Sequence, residues 1–292
     1  MDESRTVSAL VAEAAVHLTP AERRVAEAVI DDPKLVAFGT VAQLAARSST
    51  SGPTVLRFAG RLGFVGFVDL QAFVREQIAD QLRPATERIR ERPATDVVAR
   101  TLTTDLDNVR TTLEGVDEAA FAATVGVLAD RQRSVYVLAG EDSRGVGVVL
   151  ATQLDLLRDR VTLIEGSSVR VSRQIAEIAP GDVVVAVDHR RYERWLLEAA
   201  RRAVSAGAVL VAVSDSALSP LAEAAARVFV AGVRGVGPFD SHAGAFALVH
   251  ALVAGVAAKL RRRAVGRLDA VEAAWRDGGD LVDHSPPKDE RR

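Results

Sequence analysis

The sequence predicts two domains: an all-α N-terminal domain, and an α/β C-terminal domain built on a doubly wound, five-stranded parallel sheet. Three observations carry this. Roughly the first 80 residues hold no strand-like run, but repeat apolar residues at helical spacing between capping signals. From Ser134 the period changes: "SVYVLAG", "RVTLIEG", "GDVVVAVD", "GAVLVAVSD" and "ARVFVAG" are short β-rich runs, each near-continuously apolar. Helical patterns separate them at 143–158, 169–179, 192–206 and 219–226. Strands that alternate with helices, and are apolar on both faces, make a parallel sheet covered on both sides.

Taken in order, Val7–His17 has helical spacing. In "LTPAERRVAEAVIDDP", Thr19 is the N-cap, Pro20 the first helical residue and Glu22 the partner in a capping box, and Asp31-Asp32-Pro33 ends the helix. "TVAQLAARSS" is next, capped by Thr40, with Val41, Leu44 and Ala45 on one face. After Ser48–Ser51 a helix runs from about Gly52 to Leu62 and stops at Gly63; "VDLQAFVREQIADQL" is the fifth helix of a domain at 1–82. Residues 83–95, "RPATERIRERPAT", are charged, carry two prolines and form the expected linker. The α/β domain spans 96–282, opening with helical spacing over 96–130. It closes with a long helix from about His242 to Arg263, capped by Asp240 and Ser241, and another near Leu268–Arg276. The polar end at 283–292 is expected to be disordered.

With 292 residues, each domain is long enough to bury its own core. A formal net charge of −2 excludes a globally basic nucleic-acid coat, so any polyanion site must be local. Cysteine is absent, which removes disulfides, thiolate zinc sites and Cys nucleophiles, and fits a reducing cytoplasm. The acidic start has no apolar core or cleavage site of a signal peptide, and no membrane span is expected. There is no H-E-x-x-H, Walker-type or G-x-S-x-G motif, so neither a metal nor a cofactor is inferred.

One segment departs from this bland balance. From Phe38 to Val68 there is no Asp or Glu, although the chain holds 39, and Arg47, Arg57 and Arg61 stand there. Two helices joined by a short turn, the second acid-free, match the plan of a helix-turn-helix. In that motif the N-terminal residues of the second helix meet base edges in the major groove. Here these are Ser51, Gly52, Pro53 and Thr54; Arg57 can reach a base or a phosphate, and Arg61 a phosphate. Backbone N–H groups at the helix start could also hold a phosphate. Val55, Leu56, Ala59 and Leu62 would face inward. The competing reading is a three-helix core with an arginine-rich solvated face.

The wording "LTPAERRVAEAVIDDP … VAQLAARSSTSGPTVLRFAGRLGFVGFVDLQAFV" resembles the N-terminal domain of the RpiR family of bacterial transcriptional regulators. Ser51, Thr54, Arg57, Phe58, Leu62, Gly63, Phe64, Gly66 and Phe67 fall in register with that family's S-x-x-T-x-x-R-F-x-x-x-L-G-F-x-G-F run. Ser49 stands where the family usually carries the turn glycine, and Gly52-Pro53 replaces an acidic-Ala pair. The resemblance implies a double-stranded DNA partner; because one helix-turn-helix covers only a half-site, an inverted-repeat operator read by a homodimer or homotetramer is expected.

The order of elements in the second domain resembles the sugar isomerase (SIS) domain, the usual partner in RpiR-type regulators. "APGDVVVAV", "GAVLVAVSDSALSPLAEAA" and "FDSHAGAFALVHALVAG" carry the likeness. It implies a phosphosugar as effector; parallel sheets hold ligands at the carboxyl ends of their strands, where Arg190 and Arg191 favour an anion, a phosphosugar or a sugar acid. Gly140 and Ser143 keep part of the family's first loop, with Glu141 and Asp142 between them. Asp188-His189-Arg190-Arg191-Tyr192 replaces its Ser/Thr loop. Candidate effector residues are Ser143, Arg190, Arg191, Ser214, Ser216, Ser219 and His242. Against this, the arginines could pair with Glu141 or Asp142 to fasten two loops, and the serines could be caps and turn formers.

Three function classes follow. The first is a DNA-binding regulator that senses a metabolite to control carbohydrate or related catabolic genes. The second is a sugar phosphate isomerase, disfavoured because the enzymes' anchor loop and the Glu after it are missing. The third is a sugar-phosphate-binding regulator of another protein. The acid-free helix favours the first.

Overall fold

The structure is a computed structural model that describes residues 7–82, 85–90, 95–217 and 219–281. The expectation for 283–292, and parts of the linker expectation, lie outside these residues.

The N-terminal domain contains α1 (Val7–Ala14), α2 (Pro20–Asp31), α3 (Pro33–Phe38), α4 (Val41–Arg47), α5 (Gly52–Arg61) and α6 (Phe67–Leu82). Thr19 and Glu22 form the expected capping box, and Thr40 with Gln43 forms another at α4. The short helix α3 adds to the five expected. "DDP" does end α2, but Asp32 also accepts the Leu35 N–H at 3.0 Å and Pro33 pre-sets the first turn, so the same residues start a new helix. Val25, Val29, Leu44, Val55, Phe58 and Leu70 are fully buried in a core separate from that of the sheet. Each contributes about 1.5–3 kcal/mol by leaving water.

The turn between α4 and α5 runs through Ser49 at φ +49°. A side chain in this left-handed region costs about 1–2 kcal/mol, partly offset in a glycine by the freedom it gains when unfolded. Ser49→Gly is therefore expected to stabilise the helical domain by about 0.5–1 kcal/mol. A rise of its thermal midpoint checks this; a fall would show that the hydroxyl carries the turn.

α7 (Ala85–Arg88) interrupts the linker segment, and α8 (Val97–Glu114) and α9 (Glu118–Ala129) lead into the sheet. The strands are β1 (Val135–Ala139), β2 (Val161–Leu163), β3 (Val183–Val187), β4 (Val209–Ser214) and β5 (Arg227–Val230), all parallel in the order β2-β1-β3-β4-β5. α10 (Arg144–Leu157) and α13 (Ala243–Gly278) cover one face with α9; α11 (Ser168–Ala176) and α12 (Arg194–Ser205) cover the other. The order reverses between β1 and β3, where such sheets open a crevice beyond their carboxyl ends.

Two expected helices differ. The 219–226 segment is only a 3₁₀ turn at Ala222–Ala224, because Pro220 and the start of β5 leave it no room to extend. The two C-terminal helices are one, α13, ending at Gly279 with φ +67°. Gly266 does not break it: a helical glycine costs only about 1 kcal/mol, less than the turns around it return. By length and composition alone α13 could cross a membrane. Instead its apolar half lies in the sheet core, where Leu248, Val249, Leu252 and Val256 are fully buried.

Candidate nucleic-acid interface and effector cleft

The buried stripe of α5 runs through Val55, Phe58, Ala59 and Leu62. Its outward face presents Pro53, Leu56, Arg57, Gly60 and Arg61, with Arg47 of α4 and Ser51 also exposed. Leu56 is thus 48% exposed, against the inward placement expected from sequence; one residue past Val55 it is turned about 100° from the stripe. Thr54 is corrected in the opposite sense. Only 5% of it is exposed, and its Oγ1 bonds Ser51 Oγ at 3.0 Å and accepts from Arg57 Nη2 at 3.2 Å. It holds the arginine and does not itself face outward. Arg61 Nε lies 3.9 Å from Glu22 Oε1, a long ion pair that leaves its side chain 55% exposed. The helix start offers few backbone donors. Thr54 N–H is taken by the Ser51 carbonyl and Pro53 has none, which leaves Gly52.

In the second domain, the loops after β1, β3 and β4 meet at the crevice. Ser143, 1% exposed, shares a 2.9 Å hydrogen bond with Nδ1 of His189, and the His189 ring lies 5.5 Å from that of His242. His242 sits at the start of α13, with Nε2 3.4 Å from Asp142 Oδ2. Arg190 holds φ +53°, and its N–H donates to Asp215 Oδ1, which also accepts from Tyr192 Oη at 2.8 Å. Ser214 Oγ donates to the Asp188 carbonyl, and Asp188 accepts N–H groups from His189 and Glu193. At Gly140 a Cβ would come within 2.6 Å of Asp188 Oδ1, so only glycine lets the first loop pass this close.

Ser143, Arg190, Ser214 and His242 therefore converge. Arg191 is exposed, with no ion-pair partner among the described residues. Ser216 and Ser219 are buried in the following turn, where Ser219 Oγ accepts the Ala222 N–H. Arg190 does not pair with Glu141 or Asp142; its Nη1 lies 3.5 Å from Asp240. Asp240 is correspondingly not a helix cap, and Ser241 alone serves Ala243 N–H. Glu141 lines a different depression of about 720 Å³, between α11 and α12.

His189, Asp215 and Asp240 join the cleft without having been candidates on sequence grounds. His189 Nε2, His242 Nδ1 and Nε2, Arg190 Nε and Asp215 Oδ2 are buried without a hydrogen-bond partner among the described residues. Buried polar atoms without a hydrogen-bond partner are few in folded proteins, and five of them gather here.

Burial sets the protonation here. It raises the Asp188 carboxyl to about 6 and lowers the His189 imidazole to about 4. As pH falls from 6.5 to 4, the unfolded chain protonates this histidine while the folded one resists, which destabilises; the folded chain protonates Asp188 first, which stabilises. The two effects offset. Asp188→Asn should therefore lose stability relative to wild type over this window, and His189→Asn should gain it. Parallel melting curves for all three proteins would contradict this pairing.

The fold joins a helix-turn-helix domain to a parallel-sheet domain with a polar cleft at the carboxyl ends of its strands. Residues 6–81 match the helix-turn-helix domain of the rpiR family and residues 128–255 match the SIS domain. The sugar isomerase domain of an RpiR transcription factor from Sphaerobacter thermophilus is 31% identical, with TM-score 0.58, covering 61% of this chain and 99% of that one. The transcriptional regulator HexR of Escherichia coli K12 is 26% identical over 218 residues, 72% of each chain. NanR of Vibrio vulnificus, solved with ManNAc-6P, shares the fold at 18% identity and TM-score 0.56, covering 95% of this chain and 100% of that one. The chain belongs to the RpiR family of transcriptional regulators, with an N-terminal helix-turn-helix and a C-terminal SIS domain.

Proposed function

We propose that this regulator binds an inverted-repeat operator through the outward face of α5 and releases or engages it in response to an anionic metabolite, a sugar phosphate or sugar acid, held in the β1/β3/β4 cleft. The domains divide at 1–82, linker 83–95 and 96–282. Ser51, Gly52, Pro53, Arg57 and Arg61 form the DNA face, with Thr54 positioning Arg57 and Leu56 added to it. Ser143, Arg190, Ser214 and His242 border the effector, with His189 added as a donor; Arg191, Ser216 and Ser219 are at its margin. The protein works in the cytoplasm on carbohydrate or related catabolic genes, and without isomerase turnover.

The single observation behind the effector site is the set of buried, unpaired polar atoms around His189. The phosphosugar named with NanR supports the ligand class. Arguing against catalysis, the β3 loop carries Asp188-His189-Arg190 where an isomerase would anchor phosphate by hydroxyls. Thermal melting against a metabolite panel tests the proposal. A ligand at 100 times its Kd adds about 2.7 kcal/mol of stability. Arg190→Ala is expected to abolish that shift while operator binding persists, and Arg191→Ala to leave it. Stabilisation by neutral or cationic compounds only would refute the anion.

The active form is a homodimer. α8 supports this, because it buries Asn108 and Thr112 while leaving Val98, Leu102 and Leu106 61–85% exposed.

A further inference from the structure

The segment between the domains reaches into the cleft. Arg88, the last residue of α7, donates from Nη1 to Asp240 Oδ1 at 2.5 Å, and Arg190 Nη1 stands 3.5 Å from the same oxygen. Both arginine side chains are 18% exposed and Asp240 is 7% exposed. One carboxylate thus serves two largely desolvated guanidiniums, and the Nε of each is buried without a partner among the described residues. His189, 5% exposed, presents a further unpartnered nitrogen, Nε2, in the same charged neighbourhood. Nearby acids do not meet these donors. Asp215 Oδ1 is already taken by the Arg190 N–H and Tyr192 Oη, and Asp142 is 67% exposed beside His242.

Two buried guanidiniums that share one carboxylate oxygen, each with its Nε left without a partner, have donors unmet, a costly state unless another acceptor arrives. A phosphate or carboxylate group offers several acceptor oxygens to the planar forks of both arginines. We infer that Arg88, from the interdomain segment, is an effector-binding residue, and that Asp240 holds the place an anionic effector takes by displacing it. This rests on the cleft reading above and adds a residue from outside the sheet domain. An anion bridging Arg88 and Arg190 binds better when α7 is docked on the sheet than when it is not. Occupancy is thereby coupled to the segment that leads to the helix-turn-helix.

The test titrates full-length protein with inorganic phosphate, and with gluconate for the carboxylate alternative, at constant ionic strength, reading the thermal midpoint. Asp240→Asn removes the competing carboxylate and should tighten binding of one or both anions at least tenfold. Arg88→Ala and Arg88→Gln should weaken it at least tenfold, with Arg88→Lys in between, and Arg190→Ala should weaken it likewise. An Arg88 that only fastens the segment would lower the midpoint without anion but leave its dependence on anion concentration unchanged. That result, with Arg190→Ala still defective, overturns the role of Arg88 and leaves the cleft standing. Unchanged or weaker binding in Asp240→Asn overturns the place-holder. No Arg190-dependent stabilisation in either wild type or Asp240→Asn removes the cleft reading and this inference together.

Discussion

Arg57→Ala is expected to weaken binding to a duplex selected by the wild-type protein from a random library by about 1–3 kcal/mol, roughly 5- to 150-fold. The residue is exposed on the outward face of α5, and Thr54 Oγ1 restrains its Nη2 at 3.2 Å, so less rotamer freedom is lost on docking. The salt dependence identifies its target. Removing an arginine that holds a phosphate lowers the slope of log K against log salt by about 0.9. Removing one that reads a base relaxes sequence preference and leaves the slope nearly intact. Arg61→Ala should cost less, since part of its charge already faces Glu22. Unchanged affinity and slope in both variants would remove α5 from the interface.

Much of this face is legible in the amino-acid sequence. Capping signals and the 3.6-residue period locate α2, α4, α5 and α6, because they depend on neighbours along the chain. Leu56 and Thr54 are misplaced by the simple rule that apolar residues turn inward and hydroxyls outward. The buried stripe of α5 is fixed by Val55, Phe58, Ala59 and Leu62, which leaves Leu56 outside. The five strands are also readable, as apolar runs too short for helices. The cleft is only half readable. Loops at the ends of parallel strands must approach one another, so Ser143, Arg190 and Ser214 group together on topology alone. Arg88 and Asp240 do not, because they lie 152 residues apart, Arg88 in the linker segment and Asp240 in the run that opens α13. His189 has the signal of its position after β3, but the two arginines beside it offer the more obvious ligands.

The helix α8 carries the other large expected effect, because its two faces are inverted. Toward the protein it turns Asn108 and Thr112, 1% and 2% exposed. Asn108 donates to the Arg234 carbonyl at 2.8 Å and accepts the Arg234 N–H, while Thr112 Oγ1 accepts from Gly232 N–H at 2.9 Å. These bonds pin the loop ahead of α13. Away from the protein α8 turns Val97, Val98, Leu102, Leu106 and Leu113, 53%, 85%, 61%, 61% and 41% exposed. An apolar stripe at i, i+4 and i+8 is what a helix presents to a packing partner, and a two-fold axis would lay it against its own copy. A dimer formed this way supplies the second helix-turn-helix that an inverted repeat requires. Leu102→Asp combined with Leu106→Asp is therefore expected to turn the protein into a monomer in sedimentation velocity, with the fold intact by circular dichroism. Once the two half-sites bind independently, operator affinity should fall by about 10²–10⁴-fold, the range by which linked sites exceed single ones. A double variant that still sediments as a dimer, or a wild-type protein that is monomeric at micromolar concentration, would show that this stripe faces something other than a second copy of the chain.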